Sequence, residues 1–205
     1  MLRLHILASG SGGNAAIVEN AATGEGVLID CGICKRDFFA RAEEAGFDLG
    51  RLRAVVITHD HGDHTKGLGV VLRGLAKAGA RPAVHASEAV FAASAPLRDA
   101  VASVGAAFEP FGGGDVLEAA GLAVRPFRTS HDAADSYGFR FDEAGGDRDS
   151  LGYMTDTGIV TDKAWEALSG VRLLALESNH DARMLEVGPY PYVIKQRIAS
   201  ARGHL

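Results

Sequence analysis

The feature that most constrains this chain is a cluster of histidines and aspartates directly behind an apolar run. Residues 53–58 include the apolar run Ala-Val-Val-Ile, and the six residues 59–64 contain three histidines and two aspartates. The run predicts a buried strand that delivers the cluster to its C-terminal end. A solvated polar loop with incidental histidines is the alternative interpretation, but chance rarely produces such a concentration. The segment therefore predicts a metal site.

The spacing within the cluster predicts two neighbouring metal positions. Residues two apart on an extended turn point the same way, so His59 and His61 can bind one ion together. Asp63 and His64 lie one turn further on and would face a second position. Imidazole nitrogen and carboxylate oxygen together suit zinc, manganese or iron. Gly62 would let the backbone fold closely around the ions.

The remaining periodicity predicts a two-sheet α/β domain with helices outside. Strand patterns come first, and strands then alternate with helices. The predicted strands are 2–8, 15–19, 26–30, 53–58, 83–86, 122–129, 137–142, 151–155 and 173–177. The predicted helices are 35–45, 67–78, 87–95, 97–104, 162–168 and 193–201, and 142–150 predicts a polar turn.

Composition excludes few functions. The chain is 47% hydrophobic and 23% charged with a net charge of −5, which carries no electrostatic signature for nucleic acid or an anionic membrane. A bound metal pair would add positive charge that this count omits. No apolar run approaches the roughly 18 residues of a membrane span, and the N-terminal apolar stretch is too short for a signal peptide. We expect a cytoplasmic protein without membrane contact.

The cluster at 59–64 resembles the His-x-His-x-Asp-His motif of the metallo-β-lactamase superfamily. Four further segments match in the same order, namely residues 26–32, Ser130-His131, Thr155-Asp156-Thr157-Gly158 and Gly203-His204. The resemblance covers nearly the whole chain and implies an αββα four-layer sandwich with two metal ions at one edge of its sheets. It also implies a single metallo-hydrolase domain over 1–205 that lacks its C-terminal portion, since relatives continue beyond the final histidine.

The resemblance implies a role for each matching side chain. One ion would be held by His59, His61 and His131. The other would be held by Asp63, His64 and His204, with Asp156 bridging the two. The ions would be Zn²⁺ or Mn²⁺, or Fe, with a bridging hydroxide as the nucleophile, which makes Asp63 a catalytic candidate as well. Asp30 would orient a ligand histidine through its free ring nitrogen.

A glycine-rich segment narrows the branch of the superfamily. Ser9-Gly10-Ser11-Gly12-Gly13-Asn14, with residues 176–181, resembles the WalJ/YycJ group, to which 5′-to-3′ DNA exonuclease activity is attributed. The resemblance implies a phosphodiesterase with DNA as its partner. Backbone N–H groups beside two cations can receive a phosphate, so Ser9, Ser11, Gly12 and Asn14 are candidate substrate residues. A simple turn explains the same glycines equally well.

His180 is a second catalytic candidate. It follows the predicted strand 173–177, so it could overhang the site and protonate the leaving oxygen. A surface position or a contact to phosphate is an equal alternative.

Two other functions stay open. A thioester, lactone or other small-molecule ester hydrolase would use the same metals, and a non-catalytic binding module would keep the ligands without turnover. The common β-lactamases place a cysteine where Asp156 falls here, and β-CASP nucleases insert a domain between that position and His204, for which this chain has no room. The sequence leaves the oligomeric state, metal identity and cleavage polarity open.

Overall fold

Two β-sheets form the centre of the molecule. The computed structural model describes residues 1–144 and 149–205, and a shared apolar core lies between the sheets. The first sheet has the order β1 (Leu2–Ala8), β2 (Ala15–Asn20), β3 (Glu25–Ile29), β4 (Leu52–Val56), β5 (Ala83–Ala86) and β6 (Phe108–Pro110). The second has the order β11 (Leu173–Leu176), β10 (Ser150–Met154), β9 (Tyr137–Glu143), β8 (Leu122–Arg128) and β7 (Leu117–Ala119).

Helices cover the sheets because parallel strands need crossover connections. Strands β3 to β6 are parallel, as are β10 and β11, whereas β1 to β3 and β7 to β10 pair antiparallel. The helices are α1 (Lys35–Glu44), α2 (Gly62–Thr65), α3 (Leu68–Lys77), α4 (Glu88–Ala93), α5 (Ala95–Val104), α6 (Asp162–Leu168), α7 (Ala182–Val187) and α8 (Tyr192–Ile198). A short 3₁₀ turn covers Leu49–Arg51.

The central strands of the first sheet are buried on both faces. Along β3, Val27 and Ile29 point into the core between the sheets, whereas Leu28 points into a second core beneath the helices. Burying each such side chain contributes about 1.5–3 kcal/mol. A strand that packs against a core on each face has a well-fixed C-terminal end. The histidine cluster follows the C-terminal end of β4.

Polar residues set the helix boundaries. Ser87, Ser94 and Thr161 each accept a hydrogen bond from a backbone N–H in the first turn of α4, α5 and α6, as expected of N-terminal caps. Gly105 ends α5 in the left-handed conformation, which glycine adopts without strain.

The predicted αββα sandwich is confirmed, and the predicted strands and helices are present with ends shifted by a few residues. β6, β7, α2 and α7 were not predicted because three to six residues are too few to establish a period. The predicted polar turn at 142–150 is shorter, since β9 extends to Glu143 and β10 begins at Ser150; residues 145–148 lie outside the described residues. None of the described helices is long and apolar enough to cross a membrane.

Candidate metal centre

The histidine cluster occupies the loop after β4 and the short helix α2. His61 caps α2 in an extended conformation, and α2 is a single turn that contains Asp63 and His64. His59 is fully buried and forms an isolated β-bridge with Ser136, just before β9 of the second sheet. The loop therefore lies where the two sheets meet.

Two aspartates approach this loop from other strand ends. Asp30 follows β3 with φ 57°, and Asp156 follows β10 with φ 52°. A left-handed backbone is uncommon for residues other than glycine and persists where the surroundings over-determine it. The backbone at each strand end thus fixes the direction of the carboxylate.

Six of the seven predicted ligands come together. They form three overlapping sets, and within each set the possible ligand atoms lie within 4.8 Å of one another. The sets are His59 with His61 and His131, His59 with His64 and Asp156, and His131 with Asp156 and His204. The first set is the one predicted for one ion. Asp156 belongs to the other two sets, so its carboxylate lies between two possible metal positions.

Asp63 is the seventh predicted ligand and lies slightly apart. It belongs to none of these sets, although its Oδ2 is 3.5 Å from His64 Nε2. Its carboxylate is turned towards Asn14 Nδ2, which is 3.2 Å away. The pairing of Asp63 with His64 therefore stays a prediction.

An unpartnered nitrogen indicates that this site fits a metal. His59 Nδ1 lies 2.9 Å from Thr58 Oγ1, but the buried Nε2 has no hydrogen-bond partner. Leaving such an atom unsatisfied costs about 1–3 kcal/mol. Burial, followed by the neighbouring His64, holds the pKa of His59 well below its usual range, so the ring stays neutral as metal binding requires. A divalent ion would satisfy the free nitrogen.

Asp30 contacts the Nδ1 atom of His64. Its Oδ2 lies 2.8 Å from His64 Nδ1, and it also accepts hydrogen bonds from Thr58 N and Oγ1, each 2.8 Å long. Burial lowers the pKa of His64, but the Asp30 and Asp156 carboxylates outweigh it and raise that pKa to about 10. With Nδ1 directed at Asp30, His64 presents Nε2 to Asp63 and Asp156. The contact joins Asp30 to one of the predicted ligand histidines, and the role of Asp30 in orienting a metal ligand stays a prediction.

The pKa of Asp156 moves in the opposite direction. Burial raises it, but the hydrogen bond and charge of His64 outweigh burial and hold it below its usual range. The carboxylate is therefore ionised, as a metal ligand must be.

Glu177 is a site residue that the sequence analysis missed. It follows β11, and its Oε2 lies 3.0 Å from His204 Nδ1, while Oε1 accepts a hydrogen bond from Thr157 N. The bond to Glu177 raises the pKa of His204. A carboxylate directly after a predicted strand was the available signal, but nothing in the sequence paired it with His204.

The segment around His204 also orients His131. Its Nδ1 lies 3.1 Å from the Gly203 carbonyl, which leaves Nε2 for the metal position. Burial lowers the pKa of His131 and so favours the neutral ring. Arg202 donates two hydrogen bonds to the carbonyl of His131. The two histidines are thus held by the same short segment.

A cavity of about 830 Å³ opens over the cluster. Ser9, Ser11 and Asn14 line it, as the substrate prediction requires, but Gly12 is not among the lining residues. His180 does not line it either; its Nδ1 is buried without a hydrogen-bond partner. No contact in the described residues supports the predicted proton transfer by His180.

Paired sheets with a histidine and carboxylate cluster at their strand ends define a class of metal-dependent hydrolases. The chain belongs to the β-lactamase superfamily, whose domain matches residues 26–203. The predicted superfamily, and with it a metal-dependent hydrolase, is confirmed.

Two relatives lie in the predicted WalJ/YycJ group. Exodeoxyribonuclease YycJ of Bacillus anthracis is 34% identical over 204 residues, which cover 100% of this chain and 73% of that protein. Exodeoxyribonuclease WalJ of Streptococcus pneumoniae serotype 2 is 32% identical over 203 residues, covering 98% and 71%. The solved metallo-β-lactamase fold protein YhfI from Bacillus subtilis has a TM-score of 0.68 at 15% identity, covering 87% of this chain and 72% of that one, and shows the fold alone.

Proposed function

We propose that this hydrolase is a phosphodiesterase that degrades DNA from its 5′ end with two divalent ions, Zn²⁺ or Mn²⁺, in the predicted ligand set. The observation that carries the proposal is the position of Asp156, which contributes to two sets of possible ligands on one cavity. A shared carboxylate is typical of paired-ion sites. Two relatives named exodeoxyribonuclease support DNA as the substrate.

The chemistry divides between the ions and this chain's side chains. Bound ions would lower the pKa of a water molecule and offset charge on the phosphate. Asp30 and Glu177 would hold His64 and His204 in orientation, each by a bond to Nδ1. Ser9 and Ser11, which line the same cavity, would contact the phosphate.

The cavity walls also suit a nucleotide. Three exposed apolar side chains, Ile6, Leu176 and Tyr190, line the same cavity as the polar cluster. Apolar and aromatic side chains can contact a base, whereas the cluster takes the phosphate. The basic side chain of Arg197 lines the cavity too, paired with Asp132. This mixture of apolar, aromatic and charged side chains suits the end of a nucleic acid as substrate better than it suits a wholly apolar ester.

The test is cleavage of defined DNA ends in the presence of Mn²⁺. The protein should shorten a 5′-phosphorylated duplex stepwise from that end and should leave a 3′ label attached until late. Asp63→Ala should remove most of this activity, because it takes a carboxylate from the second metal position. Hydrolysis of thioesters or lactones without DNA cleavage would favour the small-molecule hydrolase. Metal binding without turnover of any of these substrates would favour the binding module.

A further inference from the structure

Asn14 connects the glycine-rich segment to the metal loop. It follows residues 9–13 and begins the path into β2, and its side chain is almost fully buried at 7% exposure. A buried amide needs hydrogen-bond partners, because leaving it unsatisfied is costly. Its partners therefore indicate what this residue does.

The backbone of Asn14 bonds to two neighbouring loops. Its N–H donates to the carbonyl of Asp63 at 2.8 Å, and its own carbonyl accepts from Gly32 N–H at 2.8 Å. The three segments are in close contact, since a Cβ atom on Gly32 would lie 1.5 Å from the Asp63 carbonyl oxygen. Asn14 is thus fastened beside Asp63 irrespective of its side chain.

The side chain makes a second connection to Asp63. Asn14 Oδ1 accepts from Gly10 N–H at 3.0 Å, which directs Nδ2 towards the metal loop. Nδ2 then donates to Asp63 Oδ2 at 3.2 Å and also lies 3.3 Å from the Gly10 carbonyl oxygen. An ionised carboxylate only accepts hydrogen bonds, so both contacts agree on the orientation of the amide.

The same Nδ2 lies 3.0 Å from His64 Nε2, the ring atom that faces away from Asp30. Nδ2 therefore lies beside both atoms that the predicted second ion would use on the metal loop, and its hydrogen bond goes to Asp63 Oδ2. Its Oδ1 faces Gly10 instead of the cluster, so the amide oxygen is not arranged as a ligand.

We propose that Asn14 is a positioning residue of the second metal position, where it holds the Asp63 carboxylate in place to bind an ion together with His64. The inference rests on the two-ion arrangement of the proposed function. It gives the glycine-rich segment a task in building the metal site, whereas the sequence suggested contact with substrate.

Titration of Mn²⁺ into chelator-treated protein by calorimetry tests this role. Asn14→Leu keeps the approximate shape of the side chain but cannot donate, and Asn14→Ala provides a second variant. We expect the second ion to bind about 10–100-fold more weakly, as for other groups that orient ligands, and the first ion to bind as before. Asn20→Leu is the matched control, because Asn20 is a buried asparagine at the other end of β2 that donates to Ala120 and Gly121 carbonyls.

A double-mutant cycle separates positioning from a general structural effect. If Asn14 acts through Asp63, Asn14→Leu should change the binding of Mn²⁺ little in an Asp63→Ala background. Three results would each overturn the inference: equally weaker binding of both ions, unchanged binding of the second ion, or a wild-type protein that binds one ion.

Circular dichroism of the metal-free variants identifies any that fail to fold. If both Asn14 variants unfold while Asn20→Leu folds, the role of Asn14 is structural and the inference is wrong. Two bound ions without DNA cleavage would overturn the proposed function alone.

Discussion

At the scale of single residues, the site depends on polar groups that contact the candidate ligands and orient them. Asp30 and Glu177 each contact the Nδ1 atom of a candidate ligand histidine, and the Gly203 carbonyl does the same for His131. Each contact fixes the orientation of its ring. The candidate ligands are therefore oriented before any ion binds.

Asp30→Asn tests the strongest of these contacts. Asparagine tolerates the left-handed backbone at this position, so the variant removes charge with little strain. We expect the metal-free protein to lose on the order of 1.5–3 kcal/mol of unfolding free energy, the usual contribution of a hydrogen bond to a charged group. Urea titration measures it, with Asp99→Asn on the exposed side of α5 as the control. Equal stability of the two variants would argue against a stabilising buried pair.

At the scale of elements, the close approach of loops occurs at Gly32 and not within the metal motif. A Cβ atom on Gly62 would meet no other atom within 4 Å, whereas one on Gly32 would clash with the Asp63 backbone. The expectation that Gly62 lets the backbone fold closely around the ions therefore stays a prediction, and the close protein contact is made by Gly32. The loop after β3 and the turn α2 touch at Gly32, so this contact sets the position of the metal loop.

Gly32→Ala and Gly62→Ala form a matched pair for this contact. We expect Gly32→Ala to reduce the unfolding free energy by about 1–3 kcal/mol or more, since backbone must move to accept the methyl group. It should also weaken Mn²⁺ binding, because Asp63 shifts with its carbonyl. Gly62→Ala should leave the stability of the metal-free protein nearly unchanged. Similar denaturation midpoints for both variants would show that the loop adapts freely.

At the scale of the whole molecule, one polar group joins the two sheets away from the metal site. Asp149 precedes β10 and accepts hydrogen bonds from Leu2 N of β1 and from Arg172, while Arg172 also donates to Leu2 O at 2.8 Å. Burial raises the pKa of Asp149, but its bonds to Arg172 and Leu2 outweigh burial and lower it below its ordinary value. The first strand of one sheet is thereby tied to the other.

This depressed pKa predicts a pH dependence of stability. The ionised Asp149 stabilises the fold above the ordinary aspartate pKa of about 3.9, and that contribution is lost as the pH falls through the lower folded-state value. Asp149→Asn should lower the urea midpoint at pH 7 and have less effect at strongly acidic pH. Asp99→Asn, on the exposed side of α5, should have no such pattern. A midpoint shift for Asp149→Asn that is independent of pH would contradict this explanation.

Removing metal should affect stability without unfolding the chain. The two main cores contain none of the candidate ligands, so a chelator should leave the circular dichroism spectrum intact. Mn²⁺ at 100 times its dissociation constant should then add about 2.7 kcal/mol for each occupied site, seen as a higher thermal midpoint. A chain that loses its secondary structure in chelator would show that the ions are required for folding.

Periodicity alone predicted the buried strands and a two-sheet α/β domain with helices outside, and the spacing at 59–64 predicted candidate ligands there, because these are local properties. The αββα sandwich and the candidate ligands His131, Asp156 and His204 were implied by the resemblance to a known superfamily. Only the tertiary structure joined Asn14 to Asp63 across 49 positions and Glu177 to His204 across 27. These partners are ordinary polar residues near strand ends, and no local pattern distinguishes them from solvated ones. The packing of the two sheets decides which strand ends meet, and so which of these side chains serve the metal centre.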